Sequence, residues 1–182
     1  MNNMRWSKTK KLLESLLTDK LHNRLEINMT NYNVSIGEQR RVWITFDKKE
    51  IFNASTANFL NEHDALWNEI HDNTNLTFPD DIKAHCDEVK GKDIPDEDLS
   101  MYVLEARGIF TPDRIYDVFV EYPQMSYADI QASTDILVLA LMMVDKRFGK
   151  RSLQSYIITD KTHSLVKQMH AIRCESESIL TL

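Results

Sequence analysis

Glycine is scarce in this chain, and its few copies are widely separated. The sequence of 182 residues contains four glycines, which are Gly37, Gly91, Gly108 and Gly149. Loops that cradle phosphate groups need several inward-turned backbone amides within a few residues, and they use closely spaced glycines for this purpose. The spacing here excludes a Walker loop and a dinucleotide-binding loop, and with them nucleotide binding of those two kinds.

Cysteine and long apolar runs are scarce as well. The two cysteines, Cys86 and Cys174, are far apart in the sequence and indicate neither a disulfide framework nor a zinc ribbon. The longest apolar run, Ile136–Val144, has nine residues, under half of the roughly 20 that a membrane-spanning helix needs. The basic start MNNMRWSKTKK leads into an amphipathic segment, which is not the pattern of a secretory signal. We therefore expect a cytoplasmic protein with reduced cysteines and no membrane contact.

Recognisable catalytic motifs are absent too. The sequence has no G-x-S-x-G, H-E-x-x-H or C-x-x-C pattern. His170 and Cys174 are four residues apart, which would place both on one face of a helix, but His163 is about 10 Å away by helical rise and would not complete a metal site. We expect these three residues to form an exposed polar face of the last helix. The sequence thus predicts no catalytic residue, no metal, no cofactor and no enzyme activity.

The pattern of apolar residues predicts an α+β fold. Leucines at helical spacing follow Ser7, and two stretches then alternate with period two, around Ile27 and around Ile44. Asp47-Lys48-Lys49 is typical of a tight turn, and EIFNA follows as a third short strand. We expect an N-terminal helix with a small antiparallel β-meander, followed by a mostly α-helical C-terminal half. We expect one domain over residues 1–182, with an α+β N-terminal part in residues 1–72 and a helical part in residues 73–182.

Helix-start signals are clear in the second half. Thr111-Pro112 combines a capping hydroxyl with proline at the first helical position, and Ser126 and Asp135 are also predicted caps. Because Ile136–Val144 is apolar on every side, we expect it to be the buried central helix and Gly149 to end it. The basic residues that follow would then favour the negative end of this helix. A short helix is also predicted around Ile82–Val89.

Charge is divided unevenly along the chain. Residues 51–135 carry eighteen acidic and five basic side chains, a net charge of −13, whereas the segments before and after them are net positive. Such a partition concerns partners more than fold. The acidic middle could also be neutralised inside the molecule by the two basic ends.

Two kinds of binding follow from this partition. In the first, an acidic surface binds another protein of basic character, as an immunity or inhibitor-type protein does. The residues of this surface are Glu62, Asp64, Glu69, Asp80, Asp81, Asp96, Glu97 and Asp98. In the alternative, the protein is a nucleic-acid-associated regulator that uses basic patches at the two ends, formed by Arg5, Lys8, Lys146, Arg147, Lys150 and Arg151. The overall pI near 5.5 favours the first.

Three blocks of the sequence resemble those of a family of small uncharacterised bacterial proteins. The blocks are MRWSKTKKLLES, RVWITFDKKEIFNAST and LMMVDKRFGKRSL, and they occur in the order of the family's M-K-W-S-K-T-K, W-I-T-x-D-K-K-E-I and D-R-R-x-G-K-R patterns. The resemblance implies a bacterial origin and no particular activity. Lys146 departs from the pattern, because the family has an arginine there, whose planar group binds differently from an ammonium.

Overall fold

The first part of the chain folds into a helix and a three-stranded antiparallel sheet, as predicted. The computed structural model describes residues 5–34, 37–72 and 96–179. The elements of this part are helix α1 and strands β1, β2 and β3, which cover Trp6–Leu16, Leu25–Val34, Gly37–Phe46 and Lys49–Ser55. The strands pair in the order β1-β2-β3. The predicted meander is therefore confirmed.

The sheet buries one face, because its apolar side chains alternate along the strands. Ile27 pairs with Ile44 across β1 and β2, and both side chains are buried, as are Leu25 and Val42 on the same face. Asp47 and Lys48 form the β2–β3 turn with φ of 48° and 66°. Two positive φ values define the turn whose twist matches that of the paired strands.

The rest of the described chain is helical, which confirms the predicted α+β class. Its α-helices, numbered α2 to α8, cover Thr56–Asp72, Asp96–Ala106, Pro112–Glu121, Tyr127–Ala132, Ile136–Val144, Lys150–Gln154 and Ser164–Glu177. A single 3-10 turn, Tyr122–Gln124, follows α4. The helix predicted around residues 82–89 lies outside the described residues.

Side-chain caps begin several of these helices, and three of the predicted caps are at Thr111, Ser126 and Asp135. The Thr111 hydroxyl accepts from the Arg114 amide at 3.1 Å, and the Ser126 hydroxyl accepts from the Asp129 amide at 3.1 Å. Asp135 Oδ1 accepts from the amides of Leu137 and Val138, at 2.8 and 3.2 Å. Each bond satisfies an amide that the first helical turn would leave without a partner.

Helix α6 lies at the centre of the core. Seven of its nine side chains are buried, and it packs mainly against α8. One continuous cluster of buried residues joins α6 and α8 with Leu13 of α1 and Val42 of β2. The predicted burial of this apolar run is confirmed.

The end of α6 differs from the prediction. The helix stops at Val144, and Gly149 has φ of −71° and precedes α7 instead of closing α6. The chain leaves the helix early because the Lys146 amide donates to the Leu16 carbonyl at 2.7 Å, in a short bridge between Leu17 and Asp145. A helix that is apolar on every side gives no periodicity from which to read its end.

Candidate functional site

The segment after α6 is built around a buried carboxylate. Asp145 is 1% exposed. Its Oδ2 accepts from the Tyr122 hydroxyl at 2.9 Å and from Arg147 Nε at 2.7 Å, and its Oδ1 accepts from the Arg147 amide at 2.8 Å. Burial, with the adjacent negative charge of Asp145, raises the pKa of Tyr122 far above its ordinary value. The phenol therefore stays protonated and acts as a hydrogen-bond donor.

Arg147 points inward, toward this carboxylate. Its Nη1 donates to the Met125 carbonyl at 3.0 Å, and its guanidinium carbon lies 5.3 Å from the centre of the Tyr122 ring. These contacts hold the planar guanidinium group of Arg147 at the edge of the core. Arg147 thus connects the residues after α6 to the turn after α4.

A second buried arginine, Arg173 of α8, holds the other side of the same segment. It is 2% exposed and donates to the carbonyls of Asp145 and Phe148 at 3.1 and 3.2 Å. Its Nε lies 2.6 Å from Glu177 Oε1. The predicted preference of this helix end for positive charge is therefore met by Arg173, which sequence reasoning missed. The spacing of four residues between Arg173 and Glu177 was the sequence pattern that could have indicated this ion pair.

The remaining basic candidates are exposed and lie apart. Lys146 adjoins the C-terminal end of α1, whereas Arg5 and Lys8 lie at its N-terminal end, roughly 12–17 Å away by helical rise. Lys150 Nζ donates to the Glu177 carbonyl at 3.0 Å, and Arg151 is exposed on α7. The structure thus places these residues in two separate groups and places Arg147 in the core network.

The acidic candidates are described only in part. Glu62 and Asp64 are exposed on α2. Asp80 and Asp81 lie outside the described residues, and of four others only the helical backbone is described, namely Glu69, Asp96, Glu97 and Asp98. For these six, the position of the carboxylate stays a prediction.

Helix α4 carries a further row of carboxylates. Asp113, Asp117 and Glu121 are exposed and four residues apart, so they lie along one face, opposite buried residues such as Ile115 and Phe119. We call these three residues the α4 acidic stripe. Sequence reasoning missed it, although the i, i+4, i+8 spacing was visible.

Part of the acidic charge is neutralised internally. Arg114 contacts Asp135, and its Nε lies 3.5 Å from Glu105 Oε1. Burial raises the pKa of Glu105, and the positive charge of Arg114 opposes part of this increase. Arg40 of β2 contacts Asp113. The contact between Arg40 and Asp113 therefore joins the basic N-terminal segment of the sequence to its acidic middle segment.

The predicted exposure of His170 and Cys174 is wrong, because both are buried. The residues after α7 cover them: His170 Nε2 lies 3.1 Å from the Leu153 carbonyl and must donate, since a carbonyl only accepts. Cys174 Sγ is almost equally far from Nδ1 and Nε2 of this ring, at 3.8 and 3.7 Å. Burial raises the pKa of the Cys174 thiol, so the reactive thiolate is disfavoured. Within the described ranges, no group of three or more His, Cys, Asp or Glu residues could hold a metal ion.

The fold and these contacts define an α+β protein in which charged side chains, such as Asp145 and Arg147, hold the segment after α6 against the core. The chain belongs to the SF0329 protein family, which it matches over residues 5–174. No curated protein and no solved structure matches it. None of the helices in the described part of the chain has the length and apolar character of a membrane-spanning segment.

Proposed function

We propose that this protein is a non-catalytic, cytoplasmic protein-binding module that docks a basic partner through an acidic surface, in the manner of an immunity or inhibitor-type protein. The observation that carries the proposal is the α4 acidic stripe, in which Asp113, Asp117 and Glu121 are exposed along one helical face. Glu62 and Asp64, exposed on α2, add to the same excess of negative charge.

The α4 acidic stripe would act on binding through its electrostatic potential. A row of carboxylates of one sign raises the rate of encounter with a positive surface and disfavours partners of the same sign. Asp113 already contacts Arg40, whereas Asp117 and Glu121 extend the stripe away from that arginine. We therefore assign the binding contribution mainly to Asp117 and Glu121.

The nucleic-acid alternative has less support from the contacts. It requires Arg5, Lys8, Lys146, Arg147, Lys150 and Arg151 to face phosphates, yet Arg147 is engaged by Asp145 and the two basic groups lie at opposite ends of α1. The engagement of Arg147 by Asp145 thus removes one of the six positive contacts that this alternative requires.

Affinity capture from the native host, with the full chain as bait, tests the proposal. The double variant Asp117→Lys/Glu121→Lys should lose a basic protein that the wild type retains. The matched control, Asp19→Lys/Glu26→Lys, reverses two exposed carboxylates elsewhere and should retain it. The purified pair should associate more slowly as salt increases.

Two results would contradict the proposal. One is a partner that is retained equally by both double variants. The other is a wild type that retains no protein but shifts the mobility of RNA or DNA at low salt, which would favour the alternative function.

A further inference from the structure

A wide groove runs beside α8, at the side of the molecule formed by the chain after α7. Its volume is about 1000 Å³, and its lining includes Tyr156, Ile157, Ile158, Ala171 and Ile179. Ile157 is 79% exposed, the highest value among the large apolar side chains that the structure describes. Ile158, its neighbour in the chain, is 37% exposed, so the two isoleucines together offer an apolar surface that a partner could bury.

The helix that borders the groove carries a regular charge pattern. Lys167, Ala171 and Glu175 are four residues apart, all three line the groove, and Ala171 and Glu175 are exposed. The positive and the negative side chain therefore lie about 6 Å on either side of Ala171 along the helix axis. The small residue at the midpoint leaves room for another backbone to approach.

We propose that this groove is a homodimer interface, in which α8 of one copy packs antiparallel against α8 of a second copy about a two-fold axis at Ala171. The two-fold operation places Lys167 of each copy opposite Glu175 of the other, so that both charge pairs are complementary. The same patch presents Ile157 as a projecting apolar group and the groove as its receptor. Such self-complementarity is the requirement of an isologous interface.

The side chains retain the capacity for these contacts. Lys167 Nζ donates to the Asp160 carbonyl at 3.0 Å, and an ammonium has two further hydrogens to donate. The Ala171 methyl group permits an interaxial distance at the short end of the usual range, roughly 8 Å. A partner of one charge sign would match only one end of the groove, whereas a second antiparallel copy matches both.

Sedimentation of the full chain over a range of concentrations tests the proposal. The wild type should be a dimer that dissociates on dilution. Lys167→Glu and Glu175→Lys should each weaken self-association at least about tenfold, because each brings two pairs of like charges together. The double variant Lys167→Glu/Glu175→Lys exchanges the charges and should restore the dimer.

A cross-link tests the position of the axis. Ala171→Cys should form a reduction-sensitive covalent dimer, because a residue on a two-fold axis faces its own copy. Two controls should not cross-link. They are the wild type, which has its own two cysteines, and Lys11→Cys, at an exposed position of α1. Circular dichroism of each variant checks that the fold is retained.

Three outcomes would overturn the proposal. The first is a wild type that is monomeric at every concentration. The second is a dimer whose self-association is unchanged by either single charge reversal. The third is a double variant that keeps its fold but does not restore association. A monomer whose Ile157→Asp variant loses a different bound protein would assign the groove to that other partner.

Discussion

Single buried charges explain why a basic block follows the most apolar run of the chain. Of its residues, Asp145 and Arg147 join the core network, and the exposed Lys146 and Lys150 lie near helix ends.

The carboxylate of Asp145 should be the most sensitive single group in this network. Asp145→Asn keeps the size of the side chain but leaves the Arg147 charge without its partner and weakens the acceptor for Tyr122. We expect a loss of about 3 kcal/mol in the free energy of unfolding, because removing one partner leaves a charge uncompensated. Urea denaturation measures it.

An exposed aspartate provides the control for this substitution. Asp160→Asn should change the free energy of unfolding by less than about 0.5 kcal/mol, as surface substitutions usually do. A loss at Asp145 no larger than this would mean that the buried network contributes nothing to stability.

At the scale of elements, α8 begins with an unusual cap. The Nδ1 atom of His163 accepts from the Leu165 amide at 3.1 Å, so this nitrogen must be unprotonated. Burial lowers the pKa of His163 below its ordinary value of 6.5, and the nearby backbone of Glu105 and Ala106 opposes this effect only in part. Protonation would both remove the cap and place a positive charge at the positive end of the helix.

The stability of the protein should therefore fall as the pH falls below about 6.5, where the unfolded chain takes up a proton that folded His163 resists. His163→Asn keeps a capping acceptor and removes the titration, so it should reduce the difference in unfolding free energy between about pH 7.5 and about pH 5. His22→Asn, at an exposed position, serves as the control substitution. Equal pH dependence in both variants would exclude this role for His163.

Elements with a clear period or cap could be predicted from sequence, and those defined by distant contacts could not. Alternation around Ile27 and Ile44 identified the strands, and Asp135 identified the start of α6. The end of α6 depends on a bridge to Leu17, and the burial of His170 and Cys174 depends on the segment that starts at Leu153. Neither contact leaves a periodic trace in the sequence.

The candidate sites follow the same division. The excess of acidic residues was evident from composition, but the α4 acidic stripe was not recognised because Asp113, Asp117 and Glu121 were counted only as part of the acidic segment. The inward orientation of Arg147 could not be foreseen, since one of its partners, Met125, lies 22 residues away.

At the scale of the whole molecule, several contacts join the N-terminal part to the helical part. The rings of Trp6 and Phe119 stack with centroids 6.2 Å apart, and Arg24 Nη1 donates to the Ser176 hydroxyl at 3.2 Å. These contacts lie beside the shared cluster of buried residues. That residues 1–182 form one domain stays a prediction.

A single domain should unfold in one cooperative transition. All three tryptophans precede residue 73, so their fluorescence reports on the N-terminal part, whereas far-UV circular dichroism is dominated by helices that lie mostly after residue 95. The two signals should give the same midpoint in urea. Separate midpoints would show that the two parts unfold independently.

The bridge between Leu17 and Asp145 also constrains the order of events during synthesis. Helix α1 leaves the ribosome well before residue 146, so the Leu16 carbonyl has no bridging amide until Lys146 has been translated. Until then, the apolar side of α1 has only the early hairpins to cover it. We therefore expect the apolar side of α1 to stay partly exposed on the nascent chain until residue 146 has been translated.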